Sequence, residues 1–273
     1  MDRSAGGSRA GRNLKAAVPV GLGLLALVAL SLAFRPEFFV ALAIVAVLIA
    51  DHELARAFAA HAIAVPYAPL AVGSIGMLVS AWTLGAAGLV VALVLTVATV
   101  FVWRVLEGGG PSAVRDAAAG IFTATYVPFL AGFAVLTAHL ERGPLLIAVF
   151  VLLVVGNDLG GYVAGVLWGA HRIAPSISPK KSWEGFAGSV VLTTAVAFGS
   201  LAVLRLPLWG ALPLGILVVL TSTAGDFAES MLKRDLGLKD FGTILPGHGG
   251  MMDRLDSLLV TAPVVYLVFS VIV

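Results

Sequence analysis

Cysteine is absent from the sequence and charge is scarce: only 12% of residues are Asp, Glu, Lys or Arg, about half the ~25% usual in a soluble domain. The first absence excludes disulfides, thiolate metal sites and cysteine nucleophiles, so any metal must be held by oxygen or imidazole; the redox compartment stays open. The second excludes a water-soluble fold, because a chain that is 60% hydrophobic cannot hide so much apolar surface at this size. Internal repeats, low-complexity blocks and boundaries of a soluble second domain are missing as well. Nor does the first apolar run end in a small-residue cleavage site, so a retained span is expected there rather than a secretion signal.

What is present is a series of apolar runs, near Ala16–Phe34, Phe38–Ala50, Pro66–Trp82, Leu84–Trp103, Ala117–Thr137, Pro144–Trp168, Phe186–Leu204, Leu208–Ala224 and Leu255–Val273. A membrane crossing needs roughly 17 to 25 mostly apolar residues, so these runs predict an all-α polytopic membrane helix bundle of about nine transmembrane helices. The second run is short and reads equally as the first half of a helix continuing past Asp51-His52-Glu53 along the membrane surface. Residues 1–15, basic and rich in Gly and Ser, are expected to form a disordered tail ahead of one membrane domain, residues 16–273.

Charge tests the alternation of the spans. With the N-terminus cytoplasmic, the 17 Lys and Arg residues all fall on inner segments except Arg35, Arg142 and Arg205, the bias that the positive-inside rule requires. Two inner segments, Gly169–Gly185 and Asp226–Arg254, are long, charged and rich in Gly, Pro and Ser. The tryptophans at 82, 103, 168 and 209 fit interfacial anchors. His52, His61, His139 and His171 have no acidic or imidazole partner at metal spacing and fit loop or interfacial positions.

The densest polar stretch runs Gly225-Asp226-Phe227-Ala228-Glu229-Ser230-Met231-Leu232-Lys233-Arg234, then Lys239-Asp240, then Pro246-Gly247-His248-Gly249-Gly250-Met251-Met252-Asp253-Arg254-Leu255-Asp256. On a helix, Asp226, Glu229, Ser230 and Lys233 share a face, as do Asp253 and Asp256 on the next. Carboxylates from two helix ends can then converge on a divalent cation, with Lys and Arg around the phosphates it carries. The glycines give the backbone freedom to approach an anion. The plainer reading is a solvated loop whose charges pair with one another. Against it stand the cost of acids at the membrane boundary and the recurrence of acids and bases at helical spacing.

From Ser230 to Asp256 the sequence resembles the signature of the phosphatidate cytidylyltransferases, or CDP-diacylglycerol synthases: Ser, any residue, an aliphatic, Lys-Arg, a four-residue gap, Lys-Asp, then Pro-x-His-Gly-Gly and Asp-Arg-x-Asp. The lead-in Gly-Asp-x-x-Glu-Ser extends it to Asp226 and Glu229. A second block, Ser178-Pro179-Lys180-Lys181-Ser182-Trp183-Glu184-Gly185, is similar to the family's Ser-Pro-Lys-Lys-Thr-Trp-Glu-Gly, with Ser182 in place of Thr. Taken alone, Lys180 and Lys181 would read as a topology signal in contact with lipid headgroups. A third, Asn157-Asp158, sits inside an apolar span, where an acid is by default functional; a structural pair bonding across helices is the competing reading. The family has a small or hydroxyl residue after such a pair, and this chain has Leu159.

The resemblance implies an enzyme that joins phosphatidate to CTP, giving CDP-diacylglycerol and pyrophosphate, with residues 16–273 as its membrane domain. It implies Asp226 and Asp253 as ligands of Mg²⁺, chosen for the hardness of the donors, with Asp256 or Asp240 in support. Lys233, Arg234, Lys239, Lys180 and Lys181 would grip phosphates, and His248 with Gly249 and Gly250 would line the triphosphate. Asn157 and Asp158 would complete the polar wall, with Ser178, Ser182, Glu229, Ser230 and Arg254 also on the substrates. The expected partners are CTP, phosphatidate and the bilayer, without nucleic acid; a homodimer is left open. The expected location is the plasma (inner) membrane, with the active site on the cytoplasmic side. The alternatives are a CTP-dependent lipid or polyprenol kinase, which would need a base beside a hydroxyl, and a transporter, whose polar groups should lie at the midplane of two repeated halves.

Overall fold

The computed structural model describes residues 14–244 and 249–273. The tail expected over residues 1–15 therefore lies outside the described residues except for Leu14 and Lys15, and so does His248. The chain is helical nearly throughout: α1 (Leu14–Phe34), α2 (Pro36–Ala59), α3 (Tyr67–Leu106), α4 (Ala113–Ala124), a π-helical turn Thr125–Phe129, α5 (Leu130–His139) and α6 (Gly143–Trp168) come first. A hairpin of β1 (Arg172–Ala174) and β2 (Ser178–Ser182) follows, then α7 (Trp183–Val203), α8 (Ala211–Asp235) and α9 (Met252–Ile272). Among the described residues, seven helical segments are long and apolar enough to cross a membrane, and the fold is an all-α polytopic bundle of that kind.

Apolar sequence explains the helices. A backbone in hydrocarbon must satisfy its own N–H and C=O groups, which an α-helix does internally. Pro36 starts α2 where its missing N–H costs nothing. Pro128, inside the π-helical turn, cannot donate to the preceding turn and so loosens it. The 40 residues of α3 would be about 60 Å long if straight, twice a bilayer's hydrocarbon. They are not straight, because Gly85 takes φ 70°, ψ −157°, a conformation left to glycine. The two arms fold back on each other, and a Cβ at Gly73 would run into Thr96.

Two apolar clusters fill the interior. One joins α2, α3, α5 and the start of α9 through Leu54, Leu70, Met77, Leu78, Val135 and Met252; the other joins α6, α7, α8 and the rest of α9 through Leu153, Leu201, Leu214, Val265 and Phe269. Helix α9 thus passes through both. Helix α6 lies along α7 and α8 along α9, and the first pair is close: a Cβ at Gly160 would stand 2.6 Å from the carbonyl of Gly188, as expected for glycine-mediated membrane packing. Large apolar residues such as Val91, Val94, Leu95, Val191 and Phe198 point outward, suited to lipid.

Two boundaries differ from the sequence reading. The span expected to end at Ala224 continues as α8 to Asp235, so the first part of the charged segment is helix. Ser178–Ser182, expected in a loop, is a strand paired antiparallel with β1.

Candidate active site

Continuation of α8 past the apolar stretch has a direct consequence. Asp226, Glu229, Ser230 and Lys233 come out on one helical face, and Lys233 Nζ lies 2.5 Å from Glu229 Oε2, one turn back. The same ammonium donates to Asp253 Oδ1 at 3.0 Å, so one cation ties the end of α8 to the start of α9. Glu229 and Asp253 are both buried, and Glu229 Oε1 has no hydrogen-bond partner among the described residues. Close approach of the helices sets this up: a Cβ at Gly225 would stand 2.6 Å from the Asp256 carbonyl.

Across from α8, strand β2 presents Lys180, Lys181 and Ser182 to the cavity between α6 and α7. Lys180 is exposed, while Lys181 turns inward to pair with Asp226 and lies 4.8 Å from the centre of the Phe227 ring. Ser182 ends the strand and caps α7, accepting from the Gly185 N–H at 3.1 Å. The hydroxyl that the motif shares between Ser and Thr thus has a structural use. The hairpin is braced by Arg172, which donates to the Lys180 carbonyl at 2.9 Å, and by Glu184, whose Oε1 lies 2.6 Å from His171 Nδ1.

Helix α6 supplies the third wall. Asn157 Nδ2 donates to Asp158 Oδ1 and to Ser222 Oγ, both at 3.1 Å, and Ser189 Oγ donates to the Asn157 carbonyl at 2.6 Å. Asn157 therefore ties α6 to α7 and α8, whereas Asp158 is exposed to the cavity.

These walls enclose three adjoining cavities. The acidic one is lined by Asp158, Asp226, Glu229, Asp240, Asp253 and Asp256, with Lys181, Lys233, Arg254, Ser178, Ser230 and Ser257. A basic one is lined by Lys180, Lys233, Arg234, Lys239, Ser178 and Ser230. The third, between α6 and α7, has Tyr162, Phe186 and Ile173 together with Asp158, Lys180, Lys181, Ser182 and Asp226. Lys181, Asp158 and Asp226 are shared by the acidic cavity and the α6–α7 cavity; Lys233, Ser178 and Ser230 by the acidic and basic ones.

Of the described residues singled out as site candidates in the sequence, all but Gly249 and Gly250 line one of these cavities or, for Asn157, its wall; His248 lies outside the described residues. Gly249 and Gly250 instead form the turn into α9, with Gly249 at φ 86° and the Gly250 N–H donating to Asp253 Oδ2 at 2.8 Å. The Phe241 N–H donates to the same oxygen at 3.0 Å, so Asp253 serves two amides and a lysine. Sequence reading missed Ser189 and Ser222, and Ser222 stands one turn before Asp226, a spacing that points to it. It also missed Glu53, whose partners are backbone groups.

Among the described residues, no three Asp, Glu or His side chains stand close enough to form a ready-made metal cage. The donors nonetheless suit Mg²⁺, which keeps several waters and takes one or two carboxylates together with substrate phosphates. Asp158, Asp226 and Asp256 each use one carboxylate oxygen in the contacts above or, for Asp256, with the Ser257 N–H. The buried Glu229 Oε1 is an acceptor without a donor among the described residues.

Fold and site together define a polytopic membrane protein whose polar centre sets carboxylates against lysines and arginines, the side chains that handle phosphates. The chain belongs to the cytidylyltransferase family, whose model matches residues 15–272. It is 39% identical to the phosphatidate cytidylyltransferase of Mycobacterium bovis over 97% of this chain and 91% of that protein. The enzymes of the same name from Mycobacterium tuberculosis and Mycobacterium leprae are 39% and 38% identical, over 97% of this chain and 85% and 90% of theirs.

Proposed function

We propose that this chain transfers the cytidylyl group of CTP to phosphatidate, giving CDP-diacylglycerol and pyrophosphate. The observation that carries this reading is the meeting of an acidic and a basic cavity at Lys233, Ser178 and Ser230 in a chain that relatives of that name match over 97% of its length. A phosphate oxygen of phosphatidate forms the new bond to the α-phosphorus of CTP, and the bond from that phosphorus to the β-phosphate bridging oxygen breaks. The attacking group is a phosphomonoester with a second pKa of about 6, so it is already largely ionised near neutral pH and needs no base. The site has to hold two polyanions together and stabilise the charge that moves onto pyrophosphate.

Lys233, Arg234 and Lys239 bind the CTP phosphates in the basic cavity, with Lys180 at its edge. The cavity between α6 and α7 admits phosphatidate, because Tyr162 and Trp183 nearby are 70% and 58% exposed and acyl chains can stay in the bilayer. Lys181, at the polar end of that cavity, leaves Asp226 to meet the lipid phosphate. Asp226, Asp158 and Asp256 would hold Mg²⁺, with Asp253 offering Oδ1, the oxygen it shares with Lys233. Bound there, the ion would neutralise phosphate charge and orient the triphosphate.

Counting α1 and the two arms of α3 separately, the bundle crosses the membrane nine times. The N-terminus and the site then share the cytoplasmic side of the plasma membrane, and the positive-inside distribution supports this orientation. A cysteine at position 142, introduced into this cysteine-free chain, should be labelled from outside only.

The acceptor tests the function. Purified protein with CTP and Mg²⁺ should consume phosphatidate and release pyrophosphate, leaving diacylglycerol and polyprenols untouched. A kinase would show the reverse, phosphorylating the alcohols and releasing CDP.

A further inference from the structure

We propose that Glu53, on α2, is a positioning residue for the reaction: its carboxylate clamps the backbone where the glycine-rich turn enters α9, and so sets Asp253 and Asp256 against α8. Glu53 is 4% exposed, although an acid that deep normally requires partners. Its partners are backbone amides. Oε1 accepts from the Met251 N–H at 3.0 Å and Oε2 from the Met252 N–H at 2.9 Å, across sequence separations of 198 and 199 residues. The first amides of a helix have no acceptor within it, and α9 receives no side-chain cap from its own N-cap residue, Met251. Glu53 supplies that cap from another helix, with its charge at the positive end of the α9 dipole.

The fit leaves no slack. A Cβ at Gly250 would stand 2.5 Å from Glu53 Oε2, and one at Gly242 would also meet this carboxylate. Both glycines are thus needed for the carboxylate to come so close. Asp253 holds the Gly250 and Phe241 amides from the other side, so Glu53 and Asp253 together grip the turn on both flanks. One turn of α9 further on, Asp256 faces the acidic cavity. Loosening the amides of Met251 and Met252 would let the start of α9 fray, and with it the acids that the transfer needs. Glu53 lines none of the three cavities, so it acts on substrates only through the backbone it holds.

The effect on turnover rests on the proposed cytidylyl transfer; the clamp itself does not. Glu53→Gln keeps the shape but sets an NH₂ group against at least one N–H donor. Amide hydrogen exchange in a peptide covering residues 250–254 should then quicken about tenfold, the loss of roughly one good hydrogen bond, with no change in the middle of α8. The variant's kcat should fall by a similar factor while its KM for phosphatidate, bound between α6 and α7, stays as it was. Glu53→Asp keeps the charge one methylene shorter and should recover part of both losses; if the Gln variant does not accumulate folded, the same two readouts on the Asp variant decide. Unchanged exchange at 250–254 would refute the clamp. Faster exchange with unaltered kcat, or a loss that appears as a raised KM for phosphatidate with kcat kept, would refute the positioning role. If the wild-type protein made no CDP-lipid but the exchange result held, the functional reading would fail and the clamp would stand.

Discussion

The end of α8 and the start of α9 bring acids to the same cavity, yet they hold them differently. On α8, Asp226 is partly exposed and pairs, among the described residues, with the side chain of Lys181 alone, a flexible ammonium that another anion can draw away. On α9, Asp253 is buried and accepts from Lys233 and two backbone amides, while Glu53 holds the next two amides. A side-chain pair can exchange for substrate at small cost, whereas backbone bonds cannot move without moving the chain. The first arrangement suits a group that meets ligands, and the second suits a frame that keeps such groups in place.

Charge removal should give the largest effect. Asp226→Asn should lower turnover on the order of 10² or more, as when charge stabilisation is lost in a dry site, and should leave the melting temperature near that of the wild type. Asp253→Asn should lose comparable activity and also melt several degrees lower, since its loss weakens three hydrogen bonds at a cost of about 1–3 kcal/mol. The double mutant should lose much less than the product of the two, because residues serving one unit are non-additive. Equal melting temperatures for the two single mutants would erase the contrast between the helices.

A smaller effect is expected at Lys181. Lys181→Ala should raise the KM for phosphatidate about tenfold, as loss of a charged hydrogen bond does, with little change in the KM for CTP. Steady-state kinetics with each substrate varied in turn would check this, and a larger shift for CTP would exchange the roles of the cavities. The smallest is at Ser182, where Ala removes the cap of α7 at a cost of about 1 kcal/mol. Thermal unfolding should show Ser182→Thr close to wild type and Ser182→Ala below it.

Most of the bundle was legible because membrane helices announce themselves by uninterrupted apolar length, and the polar cluster because charges are rare elsewhere. The acids, lysines and arginines named from the motif converge on adjoining cavities, as the three- and four-residue spacing of Asp226, Glu229, Ser230 and Lys233 implies. What stayed hidden has physical causes. Charge made the last turns of α8 read as loop, although helix continues for as long as its backbone bonds do. The hairpin lacks apolar alternation, so Ser178-Pro179-Lys180-Lys181-Ser182 carries no strand pattern. Glu53 could not be paired with its partners, because a backbone amide looks the same at every position in a sequence.

The central claim is that cytidylyl transfer occurs where Asp226 faces the basic side chains. The most direct test supplies CTP labelled in either the α- or the γ-phosphate to wild-type protein and Asp226→Asn in phosphatidate-containing micelles. The α-label should enter the lipid and the γ-label should leave as pyrophosphate with the wild type, and both transfers should nearly vanish in the variant although it remains folded. Entry of the γ-label into lipid, or wild-type transfer of the α-label by Asp226→Asn, would contradict the account.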